Sequence, residues 1–83
     1  MKLTIRTLDW YKRRPDPKEP KPVEVSIADL KLEDNRYCEM VVRYSDGQVF
    51  NLTGRTYLNP TGSWSVHGID SSGHQCLVDV SEE

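Results

Sequence analysis

The sequence predicts an all-β domain: a four-stranded antiparallel meander over residues 37–80, completed by two N-terminal strands as a curled sheet or small open barrel. Three tripeptides ending in Gly separate strand-like runs: Ser45-Asp46-Gly47, Pro60-Thr61-Gly62 and Ser71-Ser72-Gly73. A three-residue hairpin loop is usually a type I turn followed by a left-handed residue, a position Gly takes without steric cost. The register these loops impose gathers the apolar side chains onto one face. No stretch carries the periodicity of a helix longer than a turn.

The register follows by counting back from each loop. Tyr44 opposes Gln48, so Val42 faces Phe50 and Met40 faces Leu52. Asn59 opposes Ser63, Leu58 faces Trp64 and Thr56 faces Val66. Asp70 opposes His74, Val66 faces Val78 and Trp64 faces Val80. Opposed residues of an antiparallel pair share a face and successive residues alternate. One face therefore collects Cys38, Met40, Val42, Phe50, Leu52, Leu58, Trp64, Val66, Cys76, Val78 and Val80, interrupted by Tyr44, Gly54, Thr56 and Gly68. A two-residue Asp46-Gly47 turn would pair Val42 with Asn51 and divide the apolar set between faces. Because a one-residue slip inverts every side chain, agreement across all the hairpins favours the three-residue loops.

The N-terminal elements are read from alternation. Leu3 and Ile5 alternate with Thr4 and Arg6, giving a strand within residues 2–8. Residues 12–22 are basic and hold four of the five prolines, which predicts an exposed, mobile loop of polyproline II character. Val23, Val25 and Ile27 alternate with Glu24 and Ser26 as a second strand. The apolar phase then slips to Leu30 and Leu32, calling for a bulge or a single helical turn near Ala28-Asp29. Residues 33–36 form a polar turn into the meander. Gly54 and Gly68 face each other across strands, leaving a space for Trp10 or Trp64 or permitting the sheet to coil toward a barrel.

Composition bounds the function. The 83 residues make one domain (1–83), and 36% hydrophobic with 29% charged residues fits a soluble globular chain. No apolar run of about 18 residues exists to span a membrane, and Met1 to Trp10 lacks the apolar core of a secretory signal. A cytoplasmic setting is expected. Cys38 and Cys76 then read as reduced core thiols, with a disulfide or metal ligation as alternatives that require the sheet edges to meet. The net charge of −2 is divided: +4 over residues 1–22 and −6 over residues 23–83.

No cofactor motif, phosphate-binding Gly loop or hydrolase elbow is present. Cys76 and His67 fall on opposite faces, and no acid orients either histidine by register, so a non-enzymatic role is expected. His74, Cys76 and Cys38 are too few for a zinc site, and no metal is expected. Asn51-Leu52-Thr53 matches a glycosylation acceptor that a cytoplasmic chain would not present for modification.

The second face carries the candidate binding residues Tyr37, Arg43, Arg55, Tyr57 and His67, with Tyr37, Arg55, His67 and Leu77 in one row. Its Val41, Val49, Ile69 and Leu77 supply more apolar surface than a solvated sheet needs, which points to a protein partner or a second copy of the chain. Alternatively, Leu3, Ile5, Val23, Val25 and Ile27 cover that face as a second layer. Tyr, Arg and His on a sheet also suit single-stranded nucleic acid, although only four basic residues follow position 22. Lys12, Arg13 and Arg14, beside Pro15 and Pro17, resemble in composition a basic Pro-rich docking peptide. A plain solvated connector accounts for the same composition.

Overall fold

In the computed structural model, which describes residues 2–6 and 20–81, three left-handed glycines set the hairpins. Gly47, Gly62 and Gly73 have φ of +89°, +88° and +93°. In each loop the residue before the tripeptide takes an N–H···O bond to the residue after it: Tyr44 to Gln48 at 2.8 Å, Asn59 to Ser63 at 2.8 Å, Asp70 to His74 at 3.0 Å. Each glycine N–H returns to the same opening residue, at 3.0, 2.9 and 3.2 Å. The three expected loops share one geometry.

The strands are β1 (Lys2–Arg6), β2 (Pro22–Ala28), β3 (Tyr37–Tyr44), β4 (Val49–Leu58), β5 (Trp64–Ile69) and β6 (Gln75–Ser81). Every neighbouring pair is antiparallel, in the spatial order β1-β6-β5-β4-β3-β2. The expected pairs Met40↔Leu52, Thr56↔Val66 and Val66↔Val78 all occur. The first and last strands of this order, β1 and β2, come into contact without pairing, so the sheet is a nearly closed barrel.

The apolar face lines the interior. Met40, Val42, Tyr44, Leu52, Val66, Cys76, Val78 and Val80 are buried, with Leu3, Ile5, Val25 and Ile27 packed against them. The N-terminal strands therefore extend the two ends of the sheet and share its inner layer; they do not form a second layer over the outer face. The reason is edge pairing: β6 and β3 otherwise present unpaired backbone groups, which β1 and β2 satisfy.

Of the two readings of Gly54 and Gly68 the coiled sheet holds and a Trp64 side chain in the space does not, and the slip placed near Ala28-Asp29 is corrected. The space at Gly54 and Gly68 is taken by Met40: a Cβ built at either glycine would lie 2.7 or 2.6 Å from its Sδ. Trp64 does not fill it, and Trp10 lies outside the described residues, as do Lys12, Arg13, Arg14 and most of the Pro-rich segment. The irregularity in β2 falls at its start, where register shifts between Pro22 and Glu24 and leaves Val23 half exposed. At Ala28-Asp29 the strand ends instead, with Asp29 at φ +50°, which turns Leu30 and Leu32 toward the core.

The polar turn at 33–36 is held by Thr56, a buried hydroxyl on the inner face. Its Oγ1 accepts from the Arg36 N–H at 3.0 Å and donates toward the Glu33 carbonyl. The Thr56 N–H donates to the Arg36 carbonyl at 2.8 Å, and Asp34 accepts from the Leu58 N–H at 2.9 Å. Asn35, at φ +64°, makes the corner; Asn tolerates the left-handed region better than most residues. Both thiols are free. Burial pushes the Cys76 thiol up to about 11, and burial raises Cys38 against a partial counter-pull from Arg36, so neither is an activated thiolate.

Candidate binding face on the outer surface

Outward-facing residues of β3, β4 and β5 stand in cross-strand rows fixed by the hairpins. One row is Tyr37, Arg55, His67 and Leu77, continued by Arg6 on β1. The next is Tyr57, Ser65 and Asp79. Register alone thus brings Tyr37, Arg55, Tyr57 and His67 together. Arg43 stands away from them at the far end of β3, opposite Val49.

Arg55 is the centre of the group. Its guanidinium carbon lies 5.0 Å from the Tyr37 ring centroid and 6.0 Å from that of Tyr57. Cation–π contacts of this kind are worth about 0.5–1 kcal/mol at exposed sites, enough to favour one placement of a flexible side chain. Arg55 Nε and His67 Nε2 are both sheltered from water, with no hydrogen-bond partner among the described residues. The other described arginines each have a carboxylate: Arg6 with Asp79 at 2.5 Å, Arg43 with Glu24 at 2.9 Å, and Arg36 with Asp29 at 3.4 Å. Arg55 has none among the described residues.

Around it the face is apolar and open. Tyr37 is 65% exposed, Val49 58%, Ile69 47%, Val41 42% and Tyr57 38%. A shallow depression of about 520 Å³ lies across β2, β3 and β4, with Ser26, Ala28, Glu39, Val41, Asn51 and Thr53 on its walls. The small residues on β2 and β4 create it by leaving the sheet backbone uncovered. Toward β6 the face changes character. Leu77 and Ser65 are buried there, while Val41, Val49 and Ile69 of the same face stay exposed. Ser65 joins a polar chain in which Asn59 Nδ2 donates to Ser65 Oγ at 2.8 Å and Ser65 donates to Asp79 at 3.2 Å. That carboxylate is the one Arg6 holds, so the network ties β1 to the sheet.

The structure also pairs a histidine with an acid: Asp70, opposite His74 in the register, meets its ring, which corrects the expectation that no acid orients either histidine. In the 70–74 loop, Asp70 accepts from the Ser72 N–H at 3.0 Å, the Ser72 hydroxyl at 2.8 Å and the His74 N–H at 2.8 Å. His74 Nδ1 lies 3.1 Å from Asp70 Oδ2 and 2.7 Å from Ser72 Oγ. The residue types match a hydrolytic triad, but the geometry does not. Acid and hydroxyl meet the same ring nitrogen, and the serine proton is committed to the acid, whereas a triad uses opposite ring nitrogens. The His74 ring instead stacks on Phe50 at 4.1 Å and closes one end of the core beside Tyr44. The signal in the sequence was an Asp opening a loop with Ser two residues on, the pattern of a side chain capping its own turn.

Among the described residues no group of three or more His, Cys, Asp and Glu is arranged to hold a metal ion, and no helix is long and apolar enough to cross a membrane. No protein-family model, curated protein or solved structure matches the chain.

Proposed function

We propose that this protein is a small non-catalytic binding module that engages a protein partner, or a second copy of itself, through the outer face of β3, β4 and β5. The observation that carries this reading is Arg55 held between Tyr37 and Tyr57 in a surface that also exposes Val41, Val49 and Ile69. Tyr and Arg dominate the residues whose loss most weakens protein interfaces, because each combines large contact area with a polar end. Unlike Lys, Arg keeps a planar donor fork that stacks on aromatics.

A second reading, single-stranded nucleic acid on the same face, draws on the same stacked aromatics. It is the weaker one, because Arg6 and Arg43 are already neutralised by Asp79 and Glu24. A cytoplasmic location is part of the proposal and rests on the composition alone.

The test is a photoreactive residue in place of Tyr37, irradiated in cells of the source organism, with the same residue in place of Thr61 as control. A discrete protein adduct from position 37 and none from position 61 is the expected result. An adduct of twice the chain mass identifies self-association. Adducts to nucleic acid alone, or equal labelling from both positions, would overturn the reading.

A further inference from the structure

We infer that the partner presents a carboxylate, an Asp or Glu side chain in an apolar stretch of peptide, to the guanidinium of Arg55. This rests on the outer face being the binding face and adds the chemistry it selects. Arg55 is the described arginine with no carboxylate of its own, and its terminal nitrogens are neither hydrogen-bonded nor enclosed among the described residues. Tyr37 and Tyr57 orient the guanidinium. A pre-oriented fork loses little freedom on donating two parallel bonds to a carboxylate.

The nearest acid by register is Glu39, two residues beyond Tyr37 on β3 and opposite Thr53, and it makes no ion pair with Arg55. Opposite charges at diagonal positions stand within reach of long side chains, so the stacking holds Arg55 away from its own neighbour. That Arg55 is the single unclaimed guanidinium among the described residues also decides between anions. A nucleic-acid strand places phosphates in succession and needs several cations along its track. One carboxylate needs one. Val41 and Ile69 then meet the apolar residues beside it.

The experiment pans a displayed library of random linear peptides against the full chain and measures the affinities of the enriched peptides. Enriched peptides are expected to share an Asp or Glu. Exchanging that residue for Asn or Gln, or Arg55→Gln in the protein, is expected to weaken binding about tenfold or more. Lys31→Gln should leave affinity unchanged, and Glu39→Gln should tighten it by removing a like charge. The peptide-side exchange reads the contact without altering the protein's fold. If the peptides bind Arg55→Gln as well as the parent but lose affinity with Tyr37→Ser, the carboxylate proposal fails and the binding face stands. If nothing enriches, or nothing depends on Tyr37 or Arg55, both fail. Salt-sensitive binding of an oligothymidylate that Arg55→Gln abolishes, with no acidic peptides selected, overturns the proposal in favour of nucleic acid.

Discussion

An alanine at Gly62 and an alanine at Gly68 are opposed by different forces. At Gly62 an added Cβ meets nothing within 4 Å, and only the φ of +88° resists it; that backbone strain is worth about 1–2 kcal/mol. At Gly68 the backbone permits alanine, but the Cβ would lie 2.6 Å from Met40 Sδ and 3.2 Å from Leu52 Cβ. Overpacking of this kind costs about 1–3 kcal/mol. Urea denaturation in two backgrounds separates them. Gly68→Ala should cost clearly less once Met40→Ala has removed the sulfur, whereas Gly62→Ala should cost the same with or without Met40. Equal costs for Gly68→Ala in both backgrounds would place the strain elsewhere. The facing glycines could be read from the residue list. Their occupant could not, because Met40 reaches both through a flexible thioether whose direction depends on how tightly the sheet coils.

Among the elements, the 70–74 loop depends most on a carboxylate: Asp70 accepts three hydrogen bonds, whereas in the first hairpin loop Asp46 accepts one, from the Gln48 N–H at 3.0 Å. Burial acts to raise the Asp70 pKa, but the hydrogen bonds from Ser72 and His74, with the nearby His74 ring, outweigh it, and the net shift is downward. A carboxyl whose folded pKa is depressed contributes stability that is complete above its unfolded value, here about 3.8, and is lost as pH falls through the folded value. Asp70→Ala should therefore melt below the parent at neutral pH, with the gap closing in strong acid. Thermal melts from pH 7 to pH 2 check this, and a gap that persists at the acid end contradicts it. The hairpins themselves were legible because loop length and a terminal Gly fix register locally. The bulge at Val23 was not, since it reconciles β2 with a partner strand that follows a turn of its own. For the same reason register placed Tyr37, Arg55 and His67 in one row but did not show that Leu77, in that row, is buried.

For the whole molecule, the alternation in residues 2–8 predicted a strand but not its place. Leu3 and Ile5 suit either a second layer over the outer face or an added edge of the inner one. The competition is settled by the unpaired edge of β6, to which β1 adds a full ladder from Lys2↔Ser81 to Arg6↔Leu77. Replacing both Leu3 and Ile5 with Ser should uncover Val78 and Val80 and release that edge. The expected loss is about 2 kcal/mol for two half-buried side chains, with light scattering rising on mild heating as freed edges associate. A variant that keeps the parental urea midpoint would mean β1 contributes little.

The pairing of β1 with β6 has a consequence for synthesis. A nascent chain exposes Leu3 and Ile5 early, but their ladder does not exist until residues 77–81 have been made. At roughly 5–20 residues per second, β1 waits about 4–14 s for its partner. Through that interval the meander can form hairpin by hairpin as it leaves the ribosome, while the ring stays open. The last hairpin to emerge is thus the one that completes the barrel, and nonsense truncations just upstream of it would release a chain with a bare strand at each end.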